Sequence, residues 1–158
     1  MSAAIFSHSR EGVLKIDADA LATMRRHEQH APTALEAGGL LLGRYLRDGH
    51  DLVVDFVTEP MPGDERSRFG FYRAAESHGR IVRESWDRSG GTCVLLGDWH
   101  THAEPDPTPS DVDIDNWRSM LVESEPGEAR FFVIVGQHVI RAWEGDTRTG
   151  AIRPMERR

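Results

Sequence analysis

Two histidines, His100 and His102, stand two residues apart just beyond the apolar run Cys93-Val94-Leu95-Leu96. If that run is a strand, side chains repeat on one face every second residue, so both imidazoles point the same way and one metal ion can meet both. Asp113 follows at the start of an expected helix. The connection through Pro105, Pro107 and Pro109 is short enough to fold its carboxylate back over the strand end. Two neutral imidazoles and one carboxylate make a three-ligand Zn²⁺ set whose fourth tetrahedral position is left to water, the pattern of a catalytic zinc. Water held in this way ionises at a pH of about 7, and the ion can also polarise a substrate carbonyl. Hydrolysis by such a centre still needs a proton acceptor and an oxyanion donor.

The same residues carry a plainer reading. Ser110 and Asp113 form a Ser-x-x-Asp capping box, in which hydroxyl and carboxylate satisfy helix amides that have no other partner. Asp111 and Asp115 are then exposed acids, the early one favoured by the helix dipole. Histidines at a strand end are often surface residues. Cys93 reads as a small core residue, and Trp99 and Trp117 as packing anchors.

The elements that must position these groups follow from pattern. Asp17 to His30 places Leu21, Met24 and Glu28 at helical steps ahead of Pro32. Gly38 to Arg47 and Leu52 to Val57, split by the turn signal Asp48-Gly49, predict a β-hairpin. Glu59 to Arg68 reads as an exposed loop. Ala74 to Arg88 predicts a second helix, with His78, Ile81, Val82 and Trp86 among its inner side chains, closed by Gly90-Gly91. Thr92 to Trp99 predicts a buried central strand that delivers His100-Thr101-His102. Ser110 caps a third helix with Ile114, Trp117, Met120 and Leu121 inside, and Arg130 to Val135 with Val139 to Trp143 predict a final hairpin. Helix, hairpin, helix, strand, helix, hairpin is the order of an α/β or α+β domain with a mixed sheet and packed helices.

Length and composition bound the rest. A chain of 158 residues with no linker or repeat is expected to be one domain spanning 1–158. Its 39% hydrophobic content, with 4 Trp and 6 Phe, is enough to build a core. Nineteen Lys and Arg against 26 Asp and Glu give a net charge of −7, which opposes attraction to polyphosphate, so no nucleic-acid partner is expected. No stretch approaches the roughly 18 consecutive apolar residues of a membrane span, so no membrane partner is expected. The single cysteine cannot form an intrachain disulfide, and Met1 to His8 lacks the basic flank and apolar run of a secretory signal. A cytoplasmic location is the expectation.

The full spacing adds a resemblance. His100-x-His102 followed by Ser110 and Asp113 reproduces the JAMM signature, and Glu36 ahead of Gly38-Gly39-Leu40-Leu41-Leu42-Gly43 resembles the upstream glutamate segment of the same family. The chain is therefore similar to prokaryotic JAB/MPN-domain zinc metalloproteases from its first helix to its final hairpin. The resemblance implies a JAB/MPN-like mixed β-sheet flanked by helices. It implies Zn²⁺ held by His100, His102 and Asp113, with Glu36 as the base and Ser110 as the donor that steadies the oxyanion. One departure is Ala103, where the family usually has proline, and this bears on the stiffness of the strand exit.

A narrower resemblance, through Leu96-Gly97-Asp98-Trp99-His100-Thr101-His102 and Asp113-x-x-x-Trp117, is to JAB isopeptidases of CBASS-type anti-phage operons. It implies cleavage after the C-terminus of a ubiquitin-like tail or of another conjugated protein, the operon's cyclic-nucleotide synthase being the modified partner. The Glu59 to Arg68 loop is the expected variable contact with substrate, and an extended tail could add along a sheet edge that the sequence does not identify. The competing reading is a non-catalytic MPN scaffold that uses the same fold as a protein-binding module.

Overall fold

Alternate residues of Ala4–His8 and Gly12–Ile16 are buried, Phe6, Leu14 and Ile16 almost completely. They form two antiparallel strands, β1 and β2, whose alternation is too short to stand out in the sequence. The computed structural model describes residues 2–47 and 49–158, so the expected turn at Asp48-Gly49 lies partly outside the described residues. The chain continues through α1 (Ala18–Arg25), β3 (Gly38–Tyr45), β4 (Leu52–Val57), β5 (Glu65–Ser67), β6 (Gly70–Tyr72) and α2 (Ala75–Arg88). It ends through β7 (Val94–Thr101), α3 (Asp111–Glu123), β8 (Ala129–Val135), β9 (Ile140–Asp146), β10 (Ile152–Pro154) and β11 (Glu156–Arg157). This is the mixed α+β architecture expected from the order of elements, with three helices flanking a mixed sheet.

Three details differ from the sequence expectation. Helix α1 ends at Arg25 rather than His30, because the amides of His27 and Glu28 turn back to carbonyls three residues earlier and Gln29 is drawn inward. The end of the Glu59 to Arg68 loop is a strand, β5, paired with β6 in a small ribbon. Trp86 is half exposed, since α2 buries His78 and Ser85 instead.

Among the described residues, the main sheet has the order β10-β9-β8-β7-β3-β4-β2-β1-β11. The pairs β2/β4 and β7/β8 are parallel and the other pairs antiparallel. Strands β10 and β11 are separated only by Met155, yet they pair with β9 and β1 at opposite ends of that order. A single residue spans less than about 4 Å of extended chain, so the two edges must be drawn together and the sheet must curl around its interior. Backbone bonds from Met155 to Ala142 and from Arg158 to Ile5 lie along this seam, and the Glu144 carboxylate accepts from the Ser9 amide and hydroxyl at 2.8 and 2.9 Å.

Two cores share strand β8. Phe131, Val133 and Val135 face the interior with Leu14, Met24 and Leu41. Phe132 and Ile134 face outward, where α3 covers them with Trp117 and Leu121. The Trp117 ring stacks on Phe132 with centroids 4.7 Å apart. A strand covered on both faces explains why nearly every residue of β8 is buried.

Strand β7 changes face along its length. Leu41 pairs with Gly97 but Leu42 pairs with Leu95, so the register slips by one residue at Leu96. Leu96 and Trp99, three residues apart, therefore both enter the interior core, and Asp98 and His100 are left facing the α3 side. The slip presses Gly97 against β8, where a Cβ would stand 1.6 Å from the Phe131 carbonyl oxygen. None of the described helices is long and apolar enough to cross a membrane.

Gly97→Ala is expected to destabilise the fold by about 3 kcal/mol or more, because the clash is with backbone that cannot step aside. Gly79→Ala, inside α2 with an Arg83 side-chain tip as its nearest neighbour at 3.5 Å, is expected to stabilise by roughly 0.5–1 kcal/mol. Denaturant unfolding of the two variants checks both signs.

Candidate metal centre

His100 is the penultimate residue of β7 and His102 follows the strand end, which puts both rings on the face that α3 approaches. Their Nε2 atoms lie 3.0 Å apart. Asp113, in the first turn of α3, brings Oδ1 to 3.2 Å from His100 Nε2 and Oδ2 to 3.0 Å from His102 Nε2. Ser110 does cap α3. Its hydroxyl oxygen accepts from the Asp113 amide at 3.1 Å, while its own amide donates to Asp113 Oδ2 at 2.8 Å. The capping box and the approach to the histidines are thus one arrangement, in which the box sets the rotation of the Asp113 carboxylate.

Glu36 reaches the cluster from the opposite side. It precedes β3, whose first residue pairs with His100, and its carboxylate lies within 4.8 Å of both imidazole donors. The residue is only 5% exposed. Its backbone is clamped by β5, since its amide donates to the Ser67 carbonyl and its carbonyl accepts from Arg66 Nε, each at 2.7 Å. All four residues that the resemblance placed around the ion are brought together, and Ser110 joins them through Asp113.

The electrostatics of the cluster suit a cation. Burial raises the pKa of Glu36 to about 7, against the pull of the two histidines. Burial also disfavours a charged Asp113, but hydrogen bonds from His100 and His102 outweigh it and hold the carboxyl well below its ordinary range. Burial works against a charged His102 as well, and its hydrogen bonds to Asp113 and Glu104 overcome that, raising its pKa to about 8. Lone pairs of two imidazoles and a carboxylate converge here at 3.0–3.2 Å, a packing that needs a shared proton or an ion. Ligand bonds of about 2.0–2.2 Å in a tetrahedral zinc site separate the donor atoms by roughly 3.3 Å, so the spacing suits one such ion.

Residues 17–146 match the family of prokaryotic homologs of the JAB domain. The chain belongs to this family. A CD-NTase/cGAS isopeptidase of Pseudomonas aeruginosa is 34% identical over 128 residues, which is 81% of this chain and 80% of the relative. One from Escherichia coli is 31% identical over 158 residues, covering 100% of this chain and 97% of the relative. The solution structure of a Desulfitobacterium hafniense protein aligns with a TM-score of 0.60 at 24% identity, over 88% of this chain and 87% of that one, and shows the fold alone.

Beside the centre of this JAB domain runs a cleft of about 260 Å³ between Phe71, Tyr72 and Arg73 on one side and α3 on the other, with His100 and Asp113 in its wall. Asp98, buried beside the cleft, pairs with Arg73 at 3.3 Å, and burial pushes its carboxyl pKa up. Two other cavities open around Arg130 and contain none of the five site residues.

Sequence reasoning missed the groups that hold the JAB centre from behind. Thr101 points away from its histidine neighbours, accepting from the Ala37 amide at 2.9 Å and donating to Gln29 Oε1 at 2.8 Å. The buried Gln29 amide then donates to the carbonyls of Ala34 and Arg68, so one side chain joins the segments on both sides of Glu36. Behind the ribbon, the Asp64 carboxylate accepts from the amides of Met61 and Ala74 and meets His78 Nε2 at 3.0 Å. His78 Nδ1 lies 2.7 Å from the Thr58 hydroxyl, which accepts from the Leu40 amide. Strand alternation could have placed Thr101 opposite the histidines, and helical period did place His78 on the inner face of α2; Gln29 and Asp64 have no local signal.

Gln29→Ala leaves two carbonyls and a threonine hydroxyl without their buried partner. It is expected to cost about 1–3 kcal/mol and to speed amide hydrogen exchange at Glu36 and Ala37. Thermal unfolding and exchange measured on the variant check both effects.

Proposed function

We propose that this JAB domain is a zinc-dependent isopeptidase that cleaves the amide bond after the C-terminus of a ubiquitin-like tail or of a conjugated protein. The reading rests above all on the convergence of His100, His102 and Asp113 at 3.0–3.2 Å with the Glu36 carboxylate alongside. The relatives named CD-NTase/cGAS isopeptidases support a conjugated nucleotidyltransferase as the substrate, and with it a place in CBASS-type anti-phage defence.

His100, His102 and Asp113 would hold Zn²⁺ in this reading. When bound, the ion lowers the pKa of water and polarises the scissile carbonyl. Glu36, buried beside the two histidines, accepts the proton of the attacking water and returns it to the leaving amine. Ser110 accepts a hydrogen bond from the Asp113 amide, which leaves its hydroxyl proton to donate to the carbonyl oxygen as that atom gains negative charge. The cap and the oxyanion donor are compatible roles of one hydroxyl. The main sheet ends in the short strands β10 and β11, which cover β9 and β1, whereas β6 lies along the cleft. An extended tail therefore has the ribbon as its natural strand partner, and that ribbon is joined through β5 to the backbone of Glu36.

Purified protein is expected to hold about one Zn²⁺ per chain, with the ion lost in a His100→Ala, His102→Ala double variant, as elemental analysis reads directly. A CD-NTase carrying a reporter fused to its C-terminus is the cleavage substrate. Glu36→Gln is expected to keep zinc and substrate affinity while single-turnover cleavage falls by about 10²–10⁴. Zinc content indifferent to the double substitution, or wild-type protein that binds the fusion without cleaving it, would turn the reading toward a binding scaffold.

Ser110→Ala separates the two uses of its hydroxyl. Loss of the cap is expected to cost roughly 0.5–2 kcal/mol of stability, and loss of an oxyanion donor about 10²–10³ in turnover. Unfolding and cleavage are measured on one preparation, and near-normal turnover would leave Ser110 a cap alone.

A further inference from the structure

Glu104 is not part of the JAMM signature, yet its carboxylate Oε1 lies 2.7 Å from Nδ1 of His102. The other ring nitrogen of His102 faces His100 Nε2 and Asp113 Oδ2, each at 3.0 Å. We propose that Glu104 is a positioning residue for the metal centre, fixing His102 as the Nδ1–H tautomer so that Nε2 presents its lone pair to the ion.

The chemistry is one-directional. An ionised carboxylate only accepts hydrogen bonds, so the contact assigns a hydrogen to Nδ1, and a neutral ring then has its lone pair on Nε2. The contact also restrains rotation of the ring about its bond to Cβ. Partners of this kind orient metal-ligating histidines and increase their basicity.

The Glu104 carboxylate is half exposed, so its position has to come from the backbone. The Glu104 carbonyl accepts from the Gln137 amide at 2.7 Å, and the Pro105 carbonyl accepts from the amides of His138 and Val139 at 3.1 Å each. Gly136 permits the approach, since a Cβ there would stand 2.9 Å from the Glu104 carbonyl oxygen and 2.5 Å from Pro107 Cδ. Asp106 adds an ion pair to Arg141. The strand exit that lacks proline at position 103 is thereby fastened to the β8–β9 turn, and the fastening begins at the residue whose side chain meets His102.

The inference rests on the zinc reading, and the test separates the two. Zinc affinity is measured by chelator competition on wild type, Glu104→Ala, Glu104→Gln and the exposed control Glu125→Ala. The tautomer of His102 is read from ¹⁵N–¹H correlations of the zinc-loaded protein, and thermal midpoints are taken without metal. Glu104→Ala is expected to weaken zinc binding about 10- to 100-fold. Glu104→Gln should weaken it less, because its amide oxygen still accepts, and neither variant should shift the metal-free midpoint. Wild-type zinc binding with unchanged affinity in Glu104→Ala overturns the inference alone. So does an Nε2–H tautomer for His102, or a metal-free midpoint that falls along with affinity. Wild-type protein that binds no zinc overturns the zinc reading and this inference together.

Discussion

A one-residue slip in β7 is the constraint on which the centre depends. An unbroken strand that buried Leu96 in the interior would bury Asp98, His100 and His102 with it and turn Trp99 and Thr101 outward. The slip lets one strand serve two masters: Leu96 and Trp99 fill the interior core, while the histidines emerge where α3 can meet them. The cost is local crowding, which Gly97 relieves by having no Cβ to strike the neighbouring carbonyl.

Once β7 is oriented, opposite sides of the same short segment perform separate tasks. His100 and His102 face Asp113, while Thr101 between them faces Gln29 and Ala37. The histidine side and the glutamate side are therefore coupled through the backbone of one strand and through the buried side chains of Thr101 and Gln29. Asp113 shows the same economy, since its carboxylate accepts the Ser110 amide in a helix cap and also closes on both imidazoles. A capping box and a metal-ligand set are not alternatives when the helix starts at the site.

What could be read in advance was whatever a short stretch of chain determines. The histidine spacing, the capping signal at Ser110 and the apolar periodicity of α3 are local, and the structure keeps all three. The β3/β4 hairpin and the central place of β7 followed from apolar runs of ordinary length. Glu36 was legible only through resemblance, because nothing in its neighbourhood states that it will stand beside residues more than sixty positions away. The short strands β5, β10 and β11 have two or three residues each, too few for any period to show. Gln29 escaped for a different reason: a helical pattern extended through it, and its capture by Thr101, Ala34 and Arg68 exists only after the loop has closed.

The seam made by β10 and β11 carries a consequence for biogenesis. Strand β1 is synthesised early and β9 late, but neither has its outer partner until residues 152–157 emerge. Throughout that interval the nascent sheet presents two unpaired edges, the kind of template on which strands of other chains add. Closure thus waits for a few residues that follow β9 and that give β9 and β1 their outer partners together. Ribosome-bound chains stalled before Ile152 should accordingly be engaged by chaperones more strongly than chains in which residues 152–157 have emerged and paired.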